Sequence, residues 1–359
     1  MIKLLVVDDS ALSRRVVGQV FAAEGDFEVR FARNGLEALD ALKAFTPDVV
    51  TLDVHMPQMD GLACLDRIMV EHPCPVVMVS SATAEGAETT LEALRLGAVD
   101  FSAKPDGTLS LTVDAWGPDL VAKVRGAAAA KLRSSLRLKD RVRHRIGGGE
   151  IRQGPRPGKR RVATQGDGLV LVGTSTGGPP ALEALLEPLP ANFRWPILVA
   201  QHMPASFTGA LAQRLDKLSA LTVVEVLKPT LLEPGCAYIG RGDVDLIVSR
   251  RPAGLVAMAA PPLPAYPWRP SVDRLVRSAM EQLPASQLIG ILMTGMGNDG
   301  AEAMTALRAA GGRVIAEAEE TAVVWGMPGE LVKAGGADWV TPLPGIASRL
   351  QALTPQPCP

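Results

Sequence analysis

Short apolar runs alternate with amphipathic stretches five times over the first 125 residues of the chain. This pattern is typical of βαβ units, in which crossover helices join parallel strands. An α/β fold is therefore predicted, beginning with a small doubly wound domain of the (βα)5 type. Its strands are predicted at residues 3–7, 28–31, 48–54, 75–80 and 99–103, and its helices begin near Ala11, Gly35, Gly61, Glu85 and Asp114.

The same alternation resumes between residues 168 and 353, which predicts a second doubly wound α/β domain with a mostly parallel sheet. Its parallel strands are predicted at residues 169–173, 196–200, 288–293 and 313–316. The middle differs, because three apolar runs are separated only by short, turn-like segments, as antiparallel strands are. These runs, which predict a small antiparallel segment, lie at residues 236–240, 245–249 and 255–259.

A basic, glycine- and proline-containing stretch separates the two domains. Between Lys131 and Arg161, 12 Lys or Arg residues accompany only two acidic residues. A run of this kind can bind nucleic acid or anionic lipid, but it lacks interleaved aromatic residues and a recognition helix, which favours a solvated linker. The predicted boundaries are residues 1–125 for the first domain, 126–166 for the linker, 167–354 for the second domain and 355–359 for a tail.

Charge and composition narrow the class of protein. The formal net charge is −1, which gives no global argument for a partner that is a nucleic acid or a membrane surface. No run reaches the 18 or so apolar residues of a spanning helix, and the apolar start at residues 2–7 is too short for a signal peptide, so a cytoplasmic protein without membrane insertion is expected. The four cysteines form no C-x-x-C pair, so neither a zinc ribbon nor a disulfide scaffold is supported.

Polar side chains end four of the strands predicted in the first domain. Asp8 and Asp9 end the first strand, Asp53 the third, Ser80 the fourth and Lys104 the fifth. Each has a simpler reading by itself, as a helix cap or an exposed charge. Because carboxyl ends of parallel strands meet at one edge of a sheet, the carboxylates and the ammonium group are expected to lie together.

The chemistry expected at this edge is a Mg²⁺ site beside a carboxylate that can be phosphorylated. Mg²⁺ prefers carboxylate, water and phosphate oxygens, and it screens an incoming phosphoryl group. Lys104 can pair with the added charge, and Ser80 can donate a hydrogen bond to a phosphoryl oxygen.

Four motifs at these positions resemble those of a two-component receiver domain, which has a flavodoxin-like (βα)5 fold. They are V-V-D-D-S at 6–10, T-L-D-V-H-M-P at 51–57, M-V-S at 78–80 and A-K-P at 103–105. The resemblance implies that Asp53 is the phosphoacceptor and that Asp8, Asp9, Asp53 and the main-chain carbonyl of His55 bind Mg²⁺. It also implies that three residues form the switch that responds to phosphorylation, namely Ser80, Lys104 and Phe101.

In the second domain, the segment Gly173–Gly178 reads G-T-S-T-G-G and lies between an apolar strand and a helix. It fits G-x-S-x-G, in which small neighbours permit a sharp turn that exposes a serine hydroxyl, here that of Ser175. Two alternatives remain open at this point: a plain glycine-rich turn capped by Thr176, and a phosphate-binding loop at a helix N-terminus. The phosphate loop is less favoured because no G-K-[ST] follows.

A serine nucleophile needs a base, and the chain has four histidines. Only His202 follows an apolar strand of the second domain, and Asp299 follows another, so Ser175, His202 and Asp299 can converge as a triad. A buried histidine and a simple Asn-Asp-Gly turn are the alternative readings. Backbone N–H groups of Thr176 and Met296 are candidate oxyanion donors.

These motifs resemble the CheB-type protein-glutamate methylesterases. The similar segments are G-T-S-T-G-G-P-P-A-L at 173–182, A-Q-H-M-P at 200–204, R-P-S-V-D at 269–273, M-T-G-M-G-N-D-G at 293–300 and V-V-W-G-M-P-G at 323–329. The resemblance implies a receiver-regulated esterase that hydrolyses glutamyl γ-methyl esters on methyl-accepting chemotaxis receptors, deamidates certain glutamines and needs no cofactor for hydrolysis. A chemotaxis-type histidine kinase is the expected phosphodonor, no nucleic acid is an expected partner, and a monomer is expected.

Two rival classes are less consistent with the sequence. A DNA-binding response regulator needs a helix-turn-helix, and the second domain is too long and too rich in strands for one. A catalytically silent binding module would tolerate loss of triad residues, yet all three are present.

The same enzyme could serve a chemosensory pathway other than motility. The unphosphorylated receiver is expected to obstruct access to Ser175.

Overall fold

The computed structural model describes residues 1–81, 83–105, 109–130 and 168–354. Packing divides the chain into two units, Met1–Gly154 and Pro155–Pro359. Most of the predicted linker and the whole predicted tail lie outside the described residues. Their boundaries therefore stay predictions.

The first unit alternates strands and helices along the chain. Its strands are β1 (Ile2–Val7), β2 (Phe27–Ala32), β3 (Val49–Asp53), β4 (Val76–Ser80) and β5 (Asp100–Ala103). Its helices are α1 (Ala11–Glu24), α2 (Gly35–Phe45), α3 (Gly61–Glu71), α4 (Ala84–Leu96) and α5 (Leu109–Ala128). The strands form one parallel sheet in the order β2-β1-β3-β4-β5, which confirms the predicted doubly wound (βα)5 domain.

Local sequence explains where these elements begin. Every residue of β3 and β4 is buried, as expected for inner parallel strands that are covered on both faces. Ser10, Asn34 and Asp60 each accept, through the side chain, a backbone N–H three residues on, and so cap α1, α2 and α3. Ser10, which follows the two aspartates at the end of β1, is therefore a helix cap.

One helix boundary of the first unit differs from the sequence prediction. Helix α5 begins at Leu109 rather than near Asp114, and Pro118 lies inside it. The preceding segment holds Thr and Val, whose intrinsic helix propensity is low, and tertiary packing overrides such weak preferences. Helix α5 packs against α1 and β5, which supplies that tertiary context.

The second unit contains ten strands and six α-helices among its described residues. The strands are β6 (Leu169–Thr174), β7 (Ile197–Gln201), β8 (Thr222–Val226), β9 (Thr230–Leu231), β10 (Cys236–Gly240), β11 (Asp245–Arg251), β12 (Gly254–Ala260), β13 (Leu288–Leu292), β14 (Arg313–Glu317) and β15 (Trp339–Thr341). The helices are α6 (Gly178–Leu186), α7 (Ala205–Leu218), α8 (Val272–Met280), α9 (Ala301–Ala309), α10 (Met327–Lys333) and α11 (Leu343–Leu353).

Seven of these strands form a parallel sheet in the order β15-β14-β13-β6-β7-β10-β8. The chain runs outward from β6 through β7 and, later, outward in the opposite direction from β13. The boundary between β6 and β13 is therefore the topological switch point, beyond which the crevice of a doubly wound sheet opens. A separate antiparallel sheet, in the order β11-β12-β9, confirms the predicted antiparallel segment.

The prediction that residues 236–240 belong to the antiparallel segment is wrong. Strand β10 pairs in parallel with both β7 and β8, inside the large sheet. All five of its residues are buried, which is typical of an inner parallel strand. Residues 227–235 cross over without a helix and contribute β9 to the small sheet. The short connection 241–244 was misleading, because it leads from β10 into the small sheet rather than into an antiparallel neighbour of β10. None of the helices that the structure describes has both the length and the apolarity needed to cross a bilayer.

Candidate functional site

Ser175 lies at the switch point of the second unit, in a sharp turn between β6 and α6. Its N–H donates to the Thr294 carbonyl at 3.0 Å, and its own carbonyl accepts from Gly178 at 2.8 Å. Gly177 has φ +75°, and a Cβ there would lie 2.7 Å from Cβ of Val323, so only glycine fits this turn. Ser175 is half-buried, whereas every other residue from 169 to 179 is buried. The turn therefore exposes the serine selectively.

The pairing of β6 with β7 places His202 beside Ser175. Thr174 and Gln201 are register partners, and the His202 N–H donates to the Thr174 carbonyl at 3.0 Å. The Gln201 side chain reinforces this pairing, since its amide donates to the carbonyls of Ser175 and His202, each at 3.0 Å, and its oxygen accepts from the Thr174 hydroxyl at 2.6 Å. Sequence analysis quoted Gln201 within a motif but assigned it no role.

Asp299 follows β13 and holds the His202 ring. Its Oδ2 lies 2.8 Å from His202 Nε2 and also accepts the Val272 N–H at 2.7 Å. Its Oδ1 accepts the Asp273 N–H at 3.0 Å and the Ser271 hydroxyl at 3.1 Å. The carboxylate thus sits at the N-terminus of α8, where the helix dipole favours negative charge. This use of the R-P-S-V-D segment was not foreseen from sequence.

The pKa of Asp299 reflects its surroundings. Burial of Asp299 raises the pKa of that carboxyl, but the bond to His202 and the N–H donors of Val272 and Asp273 outweigh burial and hold the pKa below its ordinary value. An ionised Asp299 accepts the proton on Nε2, which leaves Nδ1 of His202 free to act as a proton acceptor. The role of His202 as a general base stays a prediction.

An aromatic side chain, that of Trp268, stacks beside the His202 ring. The Trp268 ring is parallel to it within 6°, with the centroids 6.2 Å apart. Trp268 also lines an open cavity of about 290 Å³ that reaches Asp299. The site is therefore bounded by an apolar surface next to a paired, charged group, an arrangement common in ligand clefts.

The candidate oxyanion donors lie on the two loops that meet at Ser175. Thr176 follows the serine directly, and its carbonyl accepts the Thr294 hydroxyl at 2.8 Å. Met296 follows Gly295, which forms a parallel bridge with Trp325. The structure brings both loops to the same turn, and the oxyanion role of the two N–H groups stays a prediction.

The acidic edge of the first unit, defined as Asp8, Asp9 and Asp53, is also brought together. One carboxylate oxygen of each lies within 4.8 Å of the others. Lys104 Nζ lies 2.7 Å from Asp53 Oδ2 and 3.0 Å from Asp8 Oδ2. Ser13, which sequence analysis did not consider, donates to Asp8 at 2.6 Å. Three carboxylate oxygens at the ends of two neighbouring strands are the donor set that Mg²⁺ prefers, so the residues fit this ion.

Burial and neighbouring charges have opposing effects on the pKa values at the acidic edge. Burial raises the pKa of Asp53, and the neighbouring Asp8 charge adds to that effect, while Lys104 opposes it. Burial lowers the pKa of Lys104, but the two carboxylates outweigh burial and raise it. Lys104 is therefore held in its charged form against Asp53.

The structure places the remaining predicted receiver residues around this edge. The Lys104 N–H donates to the Ser80 carbonyl at 2.7 Å, and the buried Ser80 hydroxyl lies 3.3 Å from the carbonyls of Ser81 and Gly86. The His55 N–H lies 3.4 Å from Asp53 Oδ1. Phe101 is buried in β5, at 3% exposure. Their roles as switch and ligand stay predictions.

The folds and sites define the class: a response-regulator receiver followed by an α/β domain with a serine–histidine–aspartate site. Residues 170–350 match the CheB methylesterase family, and residues 4–113 match the response regulator receiver domain family. The chain belongs to the CheB methylesterase family, in a form that carries a receiver domain. The resemblance found in its motifs is thereby confirmed.

Named relatives agree with this assignment. The chain is 58% identical to "Protein-glutamate methylesterase/protein-glutamine glutaminase 2" of Rhodopseudomonas palustris over 97% of both chains. It is 51% identical to a protein of the same name, numbered 3, from Rhodospirillum rubrum, over 98% of this chain and 96% of that one. The crystal structure of the Thermotoga maritima CheB methylesterase catalytic domain aligns with a TM-score of 0.51 and 39% identity, covering 53% of this chain and all of that one.

Proposed function

We propose that this chain is a phosphorylation-regulated protein-glutamate methylesterase and protein-glutamine glutaminase. The observation that carries the proposal is the convergence of Ser175, His202 and Asp299 at the switch point of the second sheet, with a 2.8 Å bond between the last two. The names of the relatives supply the reaction, and the receiver match supplies the regulation.

The reaction we propose is acyl transfer through a serine ester. Nδ1 of His202 takes the Ser175 proton as Oγ attacks the γ-carbonyl carbon, and the N–H groups of Thr176 and Met296 stabilise the oxyanion. His202 returns the proton to the methoxy oxygen, so methanol leaves and a glutamyl ester of Ser175 remains. Water, deprotonated by His202, then releases the glutamate. With a glutamine substrate, ammonia leaves instead.

The substrates we propose are glutamyl methyl esters and glutamines on methyl-accepting chemotaxis receptors, and the phosphodonor is a chemotaxis-type histidine kinase. We place the enzyme in the cytoplasm as a monomer, with a receiver at residues 1–125 and a catalytic domain at residues 167–354. Asp8, Asp9, Asp53 and the His55 carbonyl would hold Mg²⁺. When bound, the ion would screen the charge that a phosphoryl group adds at Asp53.

The direct test is to measure methanol released from methylated signalling fragments of receptors, with and without a small phosphodonor. The proposal predicts release that increases with the phosphodonor. No release from any receptor fragment, by protein that circular dichroism shows to be folded, would contradict it. Fragments from motility receptors and from other chemosensory receptors, compared side by side, identify the pathway.

Phosphorylation at the acidic edge gives a separate prediction. Asp53 should acquire label from a radioactive small phosphodonor only in the presence of Mg²⁺, because three adjacent carboxylates otherwise repel the incoming phosphoryl group. Asp53→Asn should acquire none, whereas Asp40→Asn, which alters an exposed aspartate of α2, should label normally. Equal labelling after chelation with EDTA would show that the proposed ion site is wrong.

Regulation gives a further prediction, which rests on the expectation that the unphosphorylated receiver restrains the esterase. Deleting residues 1–160 should raise basal methanol release and make it indifferent to phosphodonor. Asp53→Asn should keep low basal release and lose the response. We expect partial activation, because changing the ratio of unrestrained to restrained enzyme from 1:99 to 99:1 requires about 5.5 kcal/mol of differential stability. A folded truncation that is no faster than the intact chain would rule out restraint.

A further inference from the structure

Glu317, the last residue of β14, is a buried carboxyl group that the reaction described above does not use. It is 0% exposed, and its Oε2 accepts the Thr294 N–H at 2.8 Å. Within the described residues, Oε1 makes no hydrogen bond of normal length. Among the described residues, no basic side chain forms an ion pair with it. A buried carboxyl group without a cation is costly, so packing alone does not explain its presence.

The hydrogen bond of the Glu317 carboxyl group reaches a residue central to the site. Thr294 is 1% exposed, and its carbonyl accepts the N–H of Ser175 at 3.0 Å. Its hydroxyl donates to the Thr176 carbonyl at 2.8 Å and accepts the Val324 N–H at 3.0 Å. A single residue therefore stands between Glu317 and the main chain of the nucleophile.

Glu317 also holds the segment that pairs with the Thr294 loop. Its carbonyl accepts the Trp325 indole N–H at 3.0 Å, and Trp325 forms a parallel bridge with Gly295. The close packing leaves little freedom, because a Cβ at Gly326 would lie 2.7 Å from the Gly295 carbonyl oxygen. This explains the V-V-W-G-M-P-G motif at 323–329 as a support for the loop that precedes Met296.

We propose that Glu317 is a positioning residue for the nucleophile: through Thr294, its carboxyl group fixes the main chain that carries Ser175 and Thr176. The inference rests on the proposed function for the choice of substrate, whereas the positioning of Ser175 can be tested without that substrate. It is consistent with the direction of the pKa of Glu317, which burial raises and which the Thr294 N–H and the Thr321 hydroxyl partly lower. The Thr294 N–H requires an oxygen acceptor on a side chain as long as that of glutamate.

The test compares variants that keep or remove that acceptor. Glu317→Ala should lower kcat for methanol release by on the order of 100-fold, the effect of misplacing a reacting group by about 1 Å, with KM unchanged. Glu317→Gln should retain wild-type kcat, because its amide oxygen still accepts the Thr294 N–H. Glu317→Met has a similar volume without such an oxygen, should show the same loss of kcat, and replaces the alanine variant if that variant does not fold. Glu320→Ala, an exposed site nearby, is the control.

A second measurement separates this inference from the proposed function. The rate of covalent labelling of Ser175 by a fluorophosphonate probe needs no receptor substrate, and it should fall in Glu317→Ala by the same factor as kcat. If the wild type labels but releases no methanol, the proposed substrate is wrong and the labelling rates still test positioning. Unchanged labelling and kcat in folded Glu317→Ala and Glu317→Met would overturn the inference, as would a Glu317→Gln variant as slow as alanine.

Discussion

Ser175→Ala should reduce methanol release by on the order of 10⁶-fold while leaving the protein folded. The reason is that Ser175 Oγ is the only atom of the proposed site that forms a bond to the substrate carbonyl. The half-buried side chain adds little to packing, so the free energy of unfolding should change by less than about 0.5 kcal/mol. Methanol release and circular dichroism, measured on the same preparation, check both parts.

His202→Ala should lose a comparable factor, because residues that act as a unit in catalysis are not additive. The double variant of Ser175 and His202 should therefore be no slower than either single variant. Near-normal turnover by folded Ser175→Ala would exclude a serine mechanism altogether. Turnover lost in Ser175→Ala but kept in His202→Ala would require a different base.

Asp299→Asn should lower kcat by on the order of 10⁴-fold, a smaller loss than removal of the nucleophile. The asparagine amide can donate where the carboxylate accepted, which turns the His202 tautomer so that Nδ1 no longer accepts the serine proton. Asp338→Asn, an exposed site that accepts the Val314 N–H at the opposite edge of the sheet, is the matched control. Equal kcat in Asp299→Asn and wild type would contradict the assigned role of the carboxylate.

The same variant should also destabilise the second unit in a pH-dependent way. The pKa of Asp299 is lower in the folded chain than its ordinary value, so its contribution to stability is present above the unfolded pKa and is lost as the pH falls through the folded pKa. The difference between wild type and Asp299→Asn, on the order of 1–3 kcal/mol at pH 7, should therefore shrink in acid. Denaturant titrations at neutral and acid pH measure it.

Much of the site follows from sequence because a parallel sheet gathers its strand ends at one edge. Apolar runs marked the strands, and the polar residue after each run marked the edge, which was enough to select Ser175, His202 and Asp299 and, separately, Asp53 and Lys104. Periodicity and the polarity of strand ends are local properties, so they can be recognised in a single sequence.

Only the tertiary structure decided which strands are neighbours and what supports the side chains between them. The direction of β10 was misread, because the four residues 241–244 between β10 and β11 resemble a hairpin turn although the two strands belong to different sheets. Three hydrogen bonds that support the site join residues 23 or more positions apart. They link the Val272 N–H to Asp299, the Gln201 amide to the Ser175 carbonyl, and the Thr294 N–H to Glu317. A hydrogen bond between distant residues leaves no periodic trace in the sequence, since its geometry exists only once the sheet has brought both strands together.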